Sequence, residues 1–457
     1  MLSLRQIFIS KVAYRSHVFK FYIHVRCVKE PLVLQLHRPK CHDHTLTLIR
    51  RLTSFTRNAC GLVDEWSPTY ICLRCDFVVH KKCIYLPRVI RISRHQHRLS
   101  YASSFLPTEA RFCGVCRKAI DNNFGPYSCN KGCRYTVHSK CATMDDVWDG
   151  KDLEGVAEEA EEDVTPFEVI NDKVIRHFGH RHHLLNMVEH NKVDGHCQAC
   201  CLPVRIHVGS FYSCTECDFI LHERCANLDR KAWFMIHPHR LELKTTAKTY
   251  FECHVCGQTS CGFRYKCCET YCEFEIDVNC ASVSEPYLHE THAHPLFCTM
   301  MSSVRRACLG CRGEDTYRKM ECSECEYVLD FKCITLPPMV RYKHDRHPLI
   351  LHGGEDTTCG YWCEICERKM DAERLFYACD DCCVTVHVEC VLGLDPHMKP
   401  GLYPGMTIEA NTSCSRPICH KCKRRCPYPI LFKKKGLLYC SLYCRRGYTR
   451  RLPPFAA

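Results

Sequence analysis

The stretch C-D-F-V-V-H-K-K-C, Cys75 to Cys83, sets thiols and an imidazole at short fixed intervals. Such side chains ligate zinc. Its closing part, His-x-x-Cys, recurs as His80/Cys83, His138/Cys141, His222/Cys225 and His387/Cys390, and twice with aspartate in place of histidine, as Asp277/Cys280 and Asp330/Cys333. A first cysteine pair stands ahead of most of these: Cys113/Cys116, Cys197/Cys200, Cys253/Cys256, Cys308/Cys311 and Cys363/Cys366. The earliest unit keeps only Cys60, with Arg57 in the partner position. A second pair lies between: Cys72/Cys75, Cys129/Cys133, Cys214/Cys217, Cys267/Cys272, Cys322/Cys325 and Cys379/Cys382. Cys267 is preferred to Cys268 because Tyr265-x-Cys267 repeats Tyr70-x-Cys72 and Tyr127-x-Cys129.

Paired histidines open each unit: His42 and His44, His95 and His97, His180 and His182, His237 and His239, His292 and His294, His344 and His347. A leucine follows each pair, Leu46, Leu99, Leu184, Leu241, Leu296 and Leu349. The cycle returns roughly every 55 residues, apart from one longer interval. A full unit therefore carries eight candidate ligands, enough for two tetrahedral zinc ions. One Cys-x-x-Cys turn supplies half a site, so the other half must come from elsewhere in the unit. A single His-x-His is ordinarily a surface pair; its repeated register argues for ligation.

The elements that must hold these ligands are small. Tyr70, Phe77 and Leu86 of the first unit have counterparts in Tyr212, Phe219 and Leu228. Such alternating segments predict short strands around the metals and a short helix near the late cysteine. A unit of about 50 residues cannot rely on its apolar core alone. Structural zinc, contributing an apparent ~10–16 kcal/mol, decides whether it folds. The expected fold class is small zinc-stabilised α+β modules in tandem, with little regular secondary structure.

Composition agrees with metal ligation. The 457 residues include 43 Cys and 29 His. Disulfide-dense scaffolds are usually short and do not need histidine at fixed distances from cysteine. The formal net charge of +12 treats every cysteine as neutral. About 33 ligating thiolates and about 13 zinc ions would bring it to about +5. The basic balance is thus weak support for nucleic-acid binding. No segment approaches the roughly 18 to 20 apolar residues of a membrane span. Arg5 and Lys11 interrupt the N-terminal apolar run, which makes a poor signal peptide; the absence of acids before Glu30 also fits a transit peptide.

The order of these ligands resembles the zinc-binding C1 domain of the phorbol-ester/diacylglycerol type. C-L-R-C-D-F-V-V-H-K-K-C-I-Y-L-P and R-H-Q-H-R-L-S resemble more closely the divergent C1 (DC1) domains of the plant cysteine/histidine-rich family. The likeness spans nearly the whole chain. It implies interleaved sites: the first cysteine pair joins the late His and Cys, and the second pair joins the opening histidine and a final cysteine. That final position holds Arg91, Asp149 and Trp233 in the first three units, so the second opening histidine is expected to replace the sulfur. The expected sets are exemplified by Cys113, Cys116, His138 and Cys141, with His95, His97, Cys129 and Cys133 as companions. Asp277 and Asp330 are either oxygen ligands or caps of a turn. The first unit, left with Cys60, His80 and Cys83 in one site, reads as degenerate.

The expected organisation is a partial remnant over 1–41, modules over 42–92 and 93–144, an acidic flexible linker over 145–176, modules over 177–234, 235–289, 290–341 and 342–397, and a C-terminal piece over 398–457. In the remnant, F-Y-I-H-V-R-C (Phe21 to Cys27) looks like the closing half of another unit, and His24 and Cys27 alone predict no stable zinc. The chain reads as beginning inside a repeat. In the C-terminal piece, Cys419, Cys422, Cys440 and Cys444 predict a four-cysteine zinc knuckle.

The resemblance implies an intracellular, cytoplasmic or nuclear, signalling or stress protein in plants. It would act without catalysis, as a zinc-binding adaptor for unidentified protein partners. Two alternatives remain open: a thiol–disulfide oxidoreductase using pairs such as that in Trp362-Cys363-Glu364-Ile365-Cys366, and a lipid or diacylglycerol binder. The segments L-V-D-E-W-S-P-T and R-G-E-D-T-Y-R-K are short and charged where a lipid-binding loop would be apolar. The lysines 433–435 and the aromatic units allow nucleic-acid binding, but no helix has groove-reading spacing.

Overall fold

A computed structural model describes residues 13–15, 22–24, 33–37, 39, 42–49, 68–75, 77–101, 111–120, 125–129, 131, 133–158, 164–188, 195–204, 209–245, 249–300, 306–313, 318–342, 344–353, 361–371, 373–412 and 416–447. The chain forms two compact bodies, residues 1–159 with 235–238, and residues 160–234 with 239–457.

Each unit is built on a small antiparallel sheet whose strands follow in chain order. In the second unit these are Val89–Ile90, Leu99–Tyr101, Pro126–Cys129 and Thr136–His138. Tyr127 faces Tyr101 on one side and Val137 on the other. Ile90, Leu99, Tyr127 and Val137 are fully buried and form the core with Cys113. The sixth unit repeats this with Met339–Arg341, Pro348–His352, Phe376–Cys379 and Val384–His387. The fifth has three strands, Leu296–Met300, Arg318–Cys322 and Val328–Asp330. The C-terminal piece forms a sheet from Gly401–Tyr403, Met406–Ala410, Ile430–Lys434 and Leu437–Tyr439.

A helix of four or five residues follows the last strand, as in Ser139–Ala142, Glu223–Ala226, Val278–Ala281 and Val388–Leu392. A helix this short cannot stand alone in water. It is held by the metal-facing residues at its start and by its own last residue, Ala142 or Ala226, both fully buried.

In the second, fourth and sixth units the first strand is contributed by the segment that leaves the preceding one. A buried tyrosine two residues before the second cysteine pair fastens it. The hydroxyl of Tyr127 donates to Pro87 O at 2.6 Å, Tyr265 to Asp229 O at 2.7 Å and Tyr377 to Pro337 O at 2.7 Å. In the fifth unit Met320 fills that place, fully buried and without a hydroxyl.

The stretch read as a flexible linker carries structure on both flanks. Val147 is fully buried in the core of the second unit, and Leu153 N donates to Val89 O at 2.7 Å. Phe167–Asn171 and Val174–His177 extend the sheet of the third unit. On these flanks Glu158 meets Lys131 at 2.5 Å and Glu168 meets Arg176 at 2.7 Å, all four side chains largely open to solvent. Residues 159–163 lie outside the described residues. In the N-terminal remnant, Ala13–Arg15 pairs with Tyr22–His24, and Cys27 lies outside the described residues. Among the described residues, no helix is long and apolar enough to cross a membrane.

Candidate metal centres

The first cysteine pair of the second to sixth units sits in one kind of turn. The amide of the residue after the second cysteine bonds back to the carbonyl of the first: Arg117 to Cys113 at 2.9 Å, Gly257 to Cys253 at 2.8 Å, Arg312 to Cys308 at 2.7 Å and Glu367 to Cys363 at 2.7 Å. That residue adopts a left-handed backbone, with φ of 59° at Arg117, 66° at Cys201, 59° at Arg312 and 58° at Glu367. This conformation is uncommon for a residue with a Cβ. It curls the turn so that both sulfurs face one point.

The late histidine reaches that point from the end of the last strand. In the second unit Cys113, Cys116, His138 and Cys141 place their donor atoms within 4.8 Å of one another. His138 Nδ1 lies 3.4 Å from Cys116 Sγ and 3.9 Å from Cys141 Sγ. Cys197, Cys200, His222 and Cys225 converge likewise, all four buried. His387 Nδ1 stands 3.3 Å from Cys366 Sγ and 3.8 Å from Cys390 Sγ, with Cys363 Sγ accepting from His387 N at 3.4 Å. A tetrahedral zinc with ordinary bond lengths would space its donors by about 3.5–3.8 Å. The geometry fits the ion. In the first unit His80 Nδ1 is 3.8 Å from Cys83, while Cys60 and Arg57 lie outside the described residues.

The two aspartates divide their oxygens between tasks. Asp330 Oδ1 accepts from Cys333 N at 2.9 Å and caps the helix, while Oδ2 lies 3.2 Å from Cys311 Sγ. Asp277 Oδ1 accepts from Asn279 N and Cys280 N, both at 2.9 Å, while Oδ2 lies 3.4 Å from Cys256 Sγ. Cap and donor, read from sequence as alternatives, are compatible. Cys308 and Cys253 complete these two groups beside Cys333 and Cys280.

The companion sites use the opening residues and the second cysteine pair. Donor atoms lie within 4.8 Å of one another in His42, His44, Cys72 and Cys75, in His95, His97, Cys129 and Cys133, and in His237, His239, Cys267 and Cys272. His292 Nε2 lies 3.5 Å from Cys325 in the fifth unit, where Cys322 and His294 are neighbours in the fold. Cys268 is exposed, away from this role.

Two opening positions differ from the sequence reading. In the third unit, His183 Nδ1 approaches Cys214 at 3.7 Å while His180 Nε2 approaches Cys217 at 3.5 Å; His182 is exposed. The correct register is His183-x-Leu185, with Leu185 fully buried and Leu184 exposed. In the sixth unit, Asp345 Oδ1 is 3.3 Å from Cys382 Sγ and His347 Nδ1 is 3.1 Å from it; His344 is exposed. Asp345 Oδ2 is buried with no hydrogen-bond partner, as expected of an atom reserved for a cation.

An aromatic ring two residues after the second pair supports the first opening histidine. Phe77 stacks on His42 with centroids 4.5 Å apart, Tyr135 on His95 at 4.2 Å, Phe219 on His180 at 4.2 Å and Tyr327 on His292 at 4.1 Å. In the sixth unit, where Asp345 replaces the imidazole, the equivalent residue is Val384.

In the C-terminal piece, Cys440 Sγ is 3.8 Å from Cys422 Sγ and 3.5 Å from Cys444 Sγ, and Cys419 is buried beside them. Cys426, fully buried in the same cluster, was not read from the sequence. Cys201 and Cys261, both fully buried, face each other at 3.6 Å outside the ligand sets. The hydroxyl of Tyr403 donates to Cys261 Sγ at 3.1 Å.

Crowding of donors strains their protonation. Contact with the Cys197 sulfur, then with Cys200, pushes the Cys225 thiol far above its usual value. Burial alone would lower His222, but the Cys200 and Cys197 sulfurs outweigh it and lift the imidazole to about 10. Burial, then the Cys311 sulfur, raises Asp330 to about 6. A divalent cation at the centre reverses each of these costs by stabilising the deprotonated donors.

Comparison with known families follows this geometry. A family model described as "C1 domain" matches residues 40–84, 93–142, 178–226, 235–281 and 342–391, more than half of the chain. A second, described as "C1 domain-like, C-terminal", matches residues 406–445. Searches of curated proteins and of solved structures each gave no match.

Proposed function

Because the chain belongs to the C1-domain family, in its divergent cysteine/histidine-rich form, we propose that it is a non-catalytic zinc-binding adaptor, an intracellular array of rigid modules that presents several surfaces to protein partners. The observation that carries this reading is the closure of the donor sets. Cys197, Cys200, His222 and Cys225 provide four buried protein donors. A metal held by four protein ligands has no position left for a substrate, which is the mark of a structural site. C1 domains bind zinc, and about two ions per complete unit is the stoichiometry proposed here.

Linked modules also suit multivalent binding, in which avidity grows without new contacts. The thiols that an oxidoreductase would need are committed to the donor sets: Cys363 is nearly fully buried beside His387, although Trp362 next to it is exposed. Elemental analysis of the purified chain, with thiol counting before and after chelation, tests the zinc reading. About 11 to 13 zinc ions, with most thiols released only on chelation, is the expected result. Few zinc ions, many disulfides and measurable disulfide-reductase turnover would overturn it. Crosslinking of zinc-loaded and chelated chain in extract then tests the adaptor role: zinc-dependent protein adducts support it, and identical adduct patterns speak against it.

A further inference from the structure

The fourth unit encloses its donors as deeply as the third does, but with a carboxylate in place of the imidazole. Cys253 is 1 % exposed, Cys256 2 %, Asp277 1 % and Cys280 0 %. Three thiolates and a carboxylate around a divalent zinc leave a net charge of −2, whereas three thiolates and an imidazole leave −1. Burying the larger charge costs more. The fifth unit shares the aspartate, but there Cys311 remains partly open to solvent.

The segment before the C-terminal sheet covers the fourth unit. Cys261 N donates to the carbonyl of His397 at 3.1 Å, which pins the backbone of His397 against it. Met398 is 2 % exposed on the same contact, and the Lys399 ammonium is bonded to Gln198 of the third unit. The imidazole of His397 is 5 % exposed. Its Nδ1 has no hydrogen-bond partner and lies 4.0 Å from Asp277 Oδ2. The other oxygen of Asp277 is occupied by two helix amides. A bare buried nitrogen thus meets a site with surplus negative charge.

We propose that His397 Nδ1 ligates the zinc held by Cys253, Cys256 and Cys280, and that Asp277 serves as helix cap beside it. The position that His138, His222 and His387 fill within their own units is filled here from outside, and the metal ties the segment leading into the C-terminal sheet to the fourth unit. This rests on the zinc reading above and adds to it the source of one ligand.

The test uses the full chain loaded with cadmium-113 in place of zinc, with nitrogen-15 in its histidines. One cadmium–nitrogen coupling is expected to disappear in His397→Gln and to persist in Asp277→Asn, which keeps the capping oxygen. If His397→Gln does not fold, the wild-type chain decides, through assignment of a coupled Nδ1 to residue 397. A coupled Nδ1 at residue 397 supports the proposal. No coupling at residue 397, or loss of this metal in Asp277→Asn with His397→Gln unchanged, overturns it and makes the carboxylate the ligand. Failure of the zinc reading would look different, since the wild-type chain would then bind little metal at any unit.

Discussion

Tyr135 lies flat on His95, with ring centroids 4.2 Å apart and planes within 6° of parallel. The stack fixes the imidazole plane before any metal arrives. Supporting groups of this kind typically change metal affinity by about 10–100-fold when removed. Tyr135→Leu is therefore expected to weaken zinc at the His95, His97, Cys129 and Cys133 site by about 10-fold. Chelator competition measures it. Val384→Phe in the sixth unit should give no gain, because Asp345 offers no ring to stack on.

Asp330 has two separable roles, so two substitutions separate them. Asp330→Asn keeps a capping oxygen and removes the carboxylate donor; Asp330→Ala removes both. The alanine variant is expected to be less stable than the asparagine variant by about 1 kcal/mol, the usual worth of a cap. Both should lose zinc affinity relative to wild type. Thermal melts at fixed free zinc and chelator titration read the two effects. Equal zinc affinity in all three chains would remove Asp330 from the donor set.

Removing zinc should unfold the units in steps. Their cores are a few side chains such as Leu46, Tyr70, Val79 and Ile84, too small to stand alone. Stepwise chelation is expected to lower the near-ultraviolet circular dichroism in stages and abolish it at completion. A metal-free chain with its full signal would contradict this.

His289 is buried, and that burial, with the nearby His292, holds its imidazole down to about 4. Thr291 N donates to its Nδ1 at 3.3 Å, which requires the neutral ring. The unfolded chain takes up the proton near the ordinary value of 6.5, the folded chain only near 4. Stability is whole above pH 6.5 and falls as pH drops through this window, by on the order of 3 kcal/mol. Urea melts of wild type and His289→Gln at each pH should show a shallower loss in the variant.

Gly262 permits a close approach between the third and fourth units. A Cβ there would stand 1.9 Å from Ala199 O, the same carbonyl that accepts from Phe263 N at 3.0 Å. Gly262→Ala is expected to break that bond and expose the Phe263 amide to hydrogen exchange, with zinc content unchanged. Undiminished protection at Phe263 would count against it.

The first cysteine pairs of the second to sixth units and the closing His-x-x-Cys or Asp-x-x-Cys of all six were legible because each keeps one spacing. The opening residues were less so, since a pairing rule for histidines favours the wrong neighbour. The spacing to the buried leucine was the better guide: His183-x-Leu185 and Asp345-x-His347-x-Leu349 match His97-x-Leu99. Val384 carried the same signal, because a stacking ring is idle where no imidazole stands. The ordered flanks of the acidic stretch were hidden because exposed edge strands tolerate charge. Cys426 and His397 were illegible for another reason: their neighbours are set by packing, not by any interval along the chain.

Because the first strand of the second, fourth and sixth units is drawn from the exit of the one before, the fold there repeats out of phase with the ligand pattern. A cut placed just ahead of an opening histidine pair, natural as that looks on paper, would strip the downstream unit of an edge and of the carbonyl its tyrosine needs. Exchange of modules between chains, by recombination or by hand, should succeed where the join falls directly after the short helix, upstream of Val89–Ile90 or Met339–Arg341.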